Sequence, residues 1–426
     1  MKRFLLGFIG LAILAIAALV ALAWESALPE QSPPSVEQFS QAEIERGRVL
    51  AGIGNCGSCH TTDPERPYAG GLAMPTPFGT LYTTNISPDS ATGIGLWSET
   101  AFIRSMREGV ARDGSHLYPA FPYTHYTRVS REDLQALYAY FMTREPIQAP
   151  EPDNELKFPF NLRFLQVGWK LLFFDREAWQ PDTGRSDQWN RGAYLAEGLG
   201  HCSACHTPRN VLGAELRSRA YGGTLVNDWY APALTQEAVT PVPWTQRQVF
   251  SYLRRGGSQF HGVALGSMSE VVHKGLSQAS DNDIQALAVY FSDINKASDN
   301  EQVAASATNT IRQAQNRSQV TMSRGEALYS SACASCHYND PAKPNAMRPE
   351  LSLNSAILAP EPVNLIRATL NGVSQEDGLP GLLMPGFADA LSNEDLVALL
   401  SFLRSHYSDQ PAWDNLELHI ERQRNY

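Results

Sequence analysis

Three short repeats constrain this chain more than anything else in it. All six cysteines of its 426 residues fall in Cys-x-x-Cys-His pentapeptides: Cys56-Gly57-Ser58-Cys59-His60, Cys202-Ser203-Ala204-Cys205-His206 and Cys333-Ala334-Ser335-Cys336-His337. Two thiols three residues apart share one helical turn, where each can add to a vinyl group of a haem. The histidine that follows is then turned toward the iron. The pattern predicts three covalently bound haems c, with Cys56, Cys59, Cys202, Cys205, Cys333 and Cys336 as attachment points. His60, His206 and His337 are the expected proximal ligands. Zinc sites pair their Cys-x-x-Cys motifs, whereas these lie 146 and 131 residues apart, each with its own histidine. A thioredoxin-like redox site needs a preceding strand and would not occur three times. Six cysteines are also too few to staple a chain of this length.

The repetition extends beyond the pentapeptides. Arg46-Gly47, Arg191-Gly192 and Arg324-Gly325 lie 10, 11 and 9 residues before the first cysteine of each motif, where each pair is expected to open a helix. Downstream, Ser130-x-x-Asp133, Ser280-x-x-Asp283 and Ser392-x-x-Asp395 read as capping-box-like starts, followed by apolar residues at helical spacing. A hydroxyl there satisfies an orphan backbone N–H, and the carboxylate sits in the first turn, where the helix dipole favours it. An opening helix, a haem motif and a closing helix make a small α-helical module, so the expected fold is mainly α with three modules in tandem. Their expected bounds are 38–147, 187–297 and 320–410. The connector 148–186 holds Pro150, Pro152, Pro159 and Pro181 and the aromatic-rich stretch Phe158–Trp179. A plain linker would be polar, so this one is expected to pack across modules or against a partner. Residues 298–319, rich in Asn, Ser and Gln, read as a flexible linker, and 411–426 as a polar tail.

At the N-terminus, Met1-Lys2-Arg3 precedes an apolar run from Phe4 to Trp24 with no charge or proline inside it. Residues 1–30 therefore read as an export segment. The run approaches the roughly 20 residues that span a bilayer, which favours an uncleaved anchor, while Ala21-Leu22-Ala23 offers the competing cleavage site. Either way Glu25 onward is expected to lie outside the cytoplasm. A formal charge of -10 argues against a nucleic acid partner, because phosphate binding needs a basic surface.

A low-spin electron carrier needs a second axial ligand, commonly methionine, whose thioether raises the potential. Met384 lies 47 residues after His337 in a Leu-Met-Pro-Gly loop, and Met268 lies 62 residues after His206 and 12 before Ser280. They are the expected ligands of the third and second irons, with His273 or His261 as the alternative to Met268. The first module reads Tyr118-Pro119-Ala120-Phe121-Pro122-Tyr123 where a methionine loop would stand, and phenylalanine cannot ligate iron. His125, four residues on, is the leading candidate. Met74, Met106, Met142, His116 and an open site remain alternatives, although Met142 falls inside the closing helix and reads as core. A histidine pair at this iron would give it a lower potential than the other two.

With those residues in view, the chain resembles the tri-haem cytochrome c subunits of bacterial membrane-associated dehydrogenases, over about residues 40–407. The most specific matches are Ala69-Gly70-Gly71, Pro75-Thr76-Pro77-Phe78-Gly79-Thr80, Thr84-Asn85-Ile86-Ser87-Pro88-Asp89, Thr92-Gly93-Ile94-Gly95 and Leu117-Tyr118-Pro119-Ala120. The resemblance implies three tandem cytochrome c domains that take electrons from a separate catalytic dehydrogenase subunit and pass them to ubiquinone or a terminal oxidase. Many members carry methionine at the position of Phe121; the form with phenylalanine is more similar to cytochromes paired with molybdenum-cofactor aldehyde or isoquinoline-type oxidoreductases. No dinucleotide fingerprint, Walker loop or nucleophile elbow stands in the chain, so no catalytic site of its own is expected. Two other functions compete. One is a peroxidase-like haem enzyme with an open iron beside Phe121, and the other is a cytochrome subunit of a terminal oxidase.

Overall fold

The computed structural model describes residues 24–297, 301–317, 322–337, 350–374, 381 and 383–425. The expected anchor or signal, 1–30, lies outside them apart from its last seven residues. Among the described residues no helix is long and apolar enough to cross a membrane. These residues divide into two compact units. One holds the first haem motif and runs to Gln180, together with Glu197–His201; the other holds Pro181–Ala196 and everything from Cys202 onward.

Each haem motif is enclosed by the same pair of helices. In the first unit the opening helix Gln41–Ile53 crosses the closing helix Arg131–Met142. The helix Asp187–Glu197, which belongs to the second unit except for its last residue, opens and Asp281–Ile294 closes around Cys202; within the second unit Arg324–Ala332 opens and Asn393–Tyr407 closes around Cys333. The Arg-Gly pairs mark the crossings. A Cβ at Gly47, Gly192 or Gly325 would overlap the carbonyl oxygen of Ala136, Ala286 or Ala398, so only glycine lets the backbones approach this closely. The adjoining arginine then reaches the first-turn aspartate of the closing helix: Arg46–Asp133 at 2.6 Å, Arg191–Asp283 at 2.8 Å and Arg324–Asp395 at 2.5 Å. Of the three pairs, only Arg324-Gly325 opens its helix; the other two sit inside theirs, because their task is the crossing and not the cap.

The caps themselves form as expected. Ser130, Ser280 and Ser392 each accept from the backbone N–H of Asp133, Asp283 and Asp395, and Ser392 completes a reciprocal capping box. Between motif and closing helix each module carries a further helix, Glu99–Glu108, Gln246–Arg255 or Val363–Asn371, ending at a glycine with positive φ: Gly109, Gly256 or Gly372. Short antiparallel hairpins fill the proximal loops, Ala73–Thr76 with Gly79–Tyr82 in the first module and Thr224–Val226 with Trp229–Ala231 in the second.

Two segments depart from expectation. Residues 298–319 do not stay a flexible linker: Glu301–Gln315 is a helix whose Val303, Ala307, Ile311 and Ala314 are buried. Val303, Ala307 and Ile311 pack with Val242, Phe260 and Leu353. Its many polar residues hide an apolar stripe at spacings of four, four and three. The tail 411–426 likewise folds, with helix Leu416–Arg424 burying Leu416 and Ile420 against the closing helix of the third module. Within the second unit the second and third modules dock through polar contacts. Asn364 both donates to the Tyr230 carbonyl and accepts from its N–H at 2.8 Å, and Arg367 stacks over Trp229 at 4.6 Å.

The crossing makes a direct prediction. Gly192→Leu should destabilise the second module by about 1–3 kcal/mol through overpacking. Denaturant unfolding should register the loss, whereas Gly57→Ala, where a Cβ meets nothing, should leave the midpoint in place.

Candidate haem sites

Each pentapeptide folds locally into a turn of helix that ends on its histidine: Cys56–His60 in the first module and Ser203–His206 just after Cys202 in the second. In the third, Cys336 and His337 donate back to the carbonyl of Cys333. The two sulfurs of each motif therefore share one side of a turn, as a two-point attachment requires. Burial pushes the Cys56 thiol up to about 12, with the neighbouring Cys59 adding to the rise, and it raises Cys205 and Cys333 as well. Burial favours the uncharged sulfur here, and a thioether is uncharged at every pH.

The proximal histidines are oriented from behind. His60 donates from Nδ1 to the Thr84 carbonyl at 2.7 Å, and His206 does the same to the Pro232 carbonyl at 2.7 Å. A carbonyl can only accept, so Nδ1 carries the proton and Nε2 is the lone-pair nitrogen, the form that binds iron. Burial lowers both imidazoles despite the opposing carbonyl, which keeps them neutral. These carbonyls are functional groups that motif reading missed. They arrive through a matching loop: Thr61 and Thr207 hydroxyls accept from the N–H of Tyr68 and Tyr221, and Gly70 and Gly223 donate to the carbonyls of His60 and His206. The shared Tyr-x-Gly that follows each His-Thr pair was the available signal. For His337 the corresponding loop, 338–349, lies outside the described residues.

On the distal side the third helix of each module provides a common ruler. Met268 stands twelve residues after Gly256, and Met384 stands twelve after Gly372. Met268 is half-buried in the helical turn Ser267–Glu270, which follows the hairpin of Gly257–Ser258 with Gly262–Val263, and Met384 is half-buried where its backbone pairs with Val373. Twelve residues after Gly109 comes Phe121, so phenylalanine occupies the position equivalent to the two methionines. Its ring lies 5.3 Å from that of Tyr126, whose phenol is raised well above its usual value by burial and then by Cys56 and Cys59. The Phe121–Tyr126 turn thus stands beside the first pair of cysteines.

His125 sits on that turn, buried, and donates from Nδ1 to the Glu197 carbonyl at 3.1 Å. That is the same tautomer as in His60 and His206. His116 is engaged differently: its Nδ1 lies 3.0 Å from the Lys170 ammonium, which also donates to the Glu108 and Gly109 carbonyls. Burial, reinforced by Arg176 and opposed by Glu25 and Glu108, pushes Lys170 down to about 8. With Nδ1 as acceptor from Lys170, a neutral His116 carries its proton on Nε2, the opposite of a ligand. Met106 and Met142 are buried in helices as packing residues, and Met74 lies on a hairpin strand. His261 stacks face to face on Trp244 at 3.7 Å, and its neighbour Phe260 packs with the 301–315 helix. His273 belongs to the helical turn Val271–Gly275 after Met268, and its Nε2 is buried without a hydrogen bond.

Gly266, two residues before Met268, has φ +54° and ψ −136°, a backbone state that favours glycine, and a Cβ there would run into the Trp229 indole. Gly266→Ala should therefore displace the helical turn that carries Met268. The expected result is a weakened Met–iron charge-transfer band and a lowered potential at one centre, with covalent haem content unchanged.

Comparison with known proteins identifies the family. The cytochrome c family model matches residues 322–406. A nicotinate dehydrogenase subunit of Pseudomonas putida is 44% identical over 400 residues, 93% of this chain, and the chain spans only 33% of that longer protein. The fructose dehydrogenase cytochrome subunit of Gluconobacter japonicus is 32% identical over 93% of this chain and 86% of its own length. The gluconate 2-dehydrogenase cytochrome c subunit of Pantoea cypripedii is 34% identical over 88% and 87%. The chain belongs to the family of cytochrome c subunits of dehydrogenases.

Proposed function

We propose that this chain carries three covalent haems c in modules bounded at 38–147, 187–297 and 320–410. It takes electrons from a partner dehydrogenase and delivers them to ubiquinone or a terminal oxidase at the periplasmic face of a bacterial inner membrane. The observation that carries the reading is the repeated proximal arrangement: paired cysteines on one turn and a neutral histidine aimed by a backbone carbonyl, in a chain that covers most of the length of dehydrogenase cytochrome subunits. Haem iron, when bound, supplies the one-electron chemistry. The protein's part is to hold Nε2 of His60, His206 and His337 on one side and Met268 and Met384 on the other. The apolar run that ends at Trp24 would tether the body and raise its effective concentration near a membrane acceptor.

For the first iron we assign His125 as the distal ligand, supported by its burial, its Nδ1–carbonyl bond and its place on the turn beside Cys56 and Cys59. Phe121 at the methionine position favours one alternative, an open iron with peroxidase-like reactivity. His125→Ala separates the two. If His125 ligates, the wild type ignores CO and cyanide while the variant binds them at one haem in three. An open site would instead bind them in both proteins.

As partner we propose a dehydrogenase acting on nicotinate or a similar nitrogen heterocycle. The relative with that name is 44% identical, against 32% and 34% for the fructose and gluconate ones. Purification of the native complex should bring down such a dehydrogenase, and its heterocyclic substrate should reduce the haems. Reduction by sugars or alcohols alone would overturn the partner assignment. Co-purification with oxidase subunits and no dehydrogenase would overturn the electron donor altogether.

A further inference from the structure

Within the first unit, the connector helix Gln166–Phe173 buries Val167 but otherwise divides its residues unusually. It buries Gln166 and Lys170, the latter bound to the helix-end carbonyls of Glu108 and Gly109, and it exposes Leu171 and Leu172 at 68% and 71%. Phe164 and Leu165 just before it are also exposed, and a Cβ at Gly168 would meet nothing. Positions 164, 165, 168, 171 and 172 follow helical spacing, so they form one apolar stripe pointing away from the body. Burying a lysine while exposing leucines costs free energy in water, and it makes sense where the outer face meets an apolar medium.

The route of the N-terminal chain shows which medium that is. The sequence is apolar from Phe4 to Trp24, and Trp24 is 76% exposed. Immediately after it the backbone is tied down: the Glu25 carbonyl lies against Gly114, Arg104 donates to the Ser26 carbonyl at 2.7 Å, and Leu28 donates to the Arg112 carbonyl at 2.8 Å. The connector docks on this same 104–116 segment, through Lys170 to His116 at 3.0 Å and Arg163 to the His116 carbonyl at 3.3 Å. Glu25, Ser26 and Leu28, which directly follow the apolar run in sequence, therefore sit on the segment to which the connector helix is bound. We infer that the Phe164–Leu172 face seats on the lipid bilayer, as an interfacial helix beside the point where the N-terminal segment enters it. This rests on the membrane reading proposed above and adds a second, independent contact to it.

The test uses the full-length, haem-loaded protein in phosphatidylethanolamine–phosphatidylglycerol vesicles that contain a photoactivatable phospholipid, with adducts mapped by peptide mass spectrometry. Peptides covering 158–174 should carry lipid. A Leu171→Glu/Leu172→Glu variant with unchanged haem content should lose that labelling at least tenfold, while Val211→Glu, at an exposed apolar residue elsewhere, should keep it. Labelling of the N-terminal peptide without the connector would overturn the inference and leave the anchor standing. Labelling of the connector in a protein lacking the N-terminal peptide would uphold the seating and overturn the anchor. No labelling of either would overturn both. A connector that cross-links to the dehydrogenase chain and takes no lipid in the native complex would make the face a subunit interface and overturn the lipid assignment.

Discussion

The helix crossing at Gly47, Gly192 and Gly325 is the contact on which each module depends. It brings the opening and closing helices to backbone distance, and the neighbouring arginine ties the crossing to the capped first turn of the closing helix. The pentapeptide begins within a few residues of the opening helix's end, so the crossing also sets where the sulfurs and the histidine stand. The arginine–aspartate pairs are partly exposed and contribute modestly as ion pairs. Their larger effect is geometric, because each selects one register of two helices that would otherwise slide.

With the frame in place, the site is a matter of aiming. Nδ1 of His60 and His206 is held by a carbonyl on the proximal loop, which settles both tautomer and ring orientation before any metal arrives. On the other side, the glycine that ends the third helix and the twelve residues after it place Met268, Met384 and Phe121 at equivalent positions. The first module is thus built on the same frame with phenylalanine in place of the methionine. The nearest histidine on the following turn, His125, is buried and already in the ligating tautomer.

The sequence disclosed local features well and long-range ones poorly. Cys-x-x-Cys-His and the Ser-x-x-Asp caps involve residues three or four apart, so their geometry is written in their spacing. Thr84 and Pro232 act through main-chain oxygens 24 and 26 residues from the histidines they orient, and no side chain advertises that role. The 301–315 helix was hidden for another reason. Its polar residues, Gln302, Ser306, Asn309, Gln313 and Gln315 among them, mask its apolar stripe, while the burial of Val303, Ala307 and Ile311 depends on packing with Val242, Phe260 and Leu353, residues distant in sequence. The Arg-Gly pairs were visible as a repeat but suggested helix starts, because a close approach of two backbones becomes apparent only once the second helix is placed.

The central claim is that one frame, repeated, attaches a haem at each pentapeptide. Intact-mass spectrometry of the purified full-length protein tests it most directly, with pyridine haemochrome absorbance to confirm the type of haem. The account predicts a chain heavier than its polypeptide by three haem masses, retained after denaturation. A chain carrying two haems or fewer, with unmodified thiols at Cys56, Cys202 or Cys333, would contradict it.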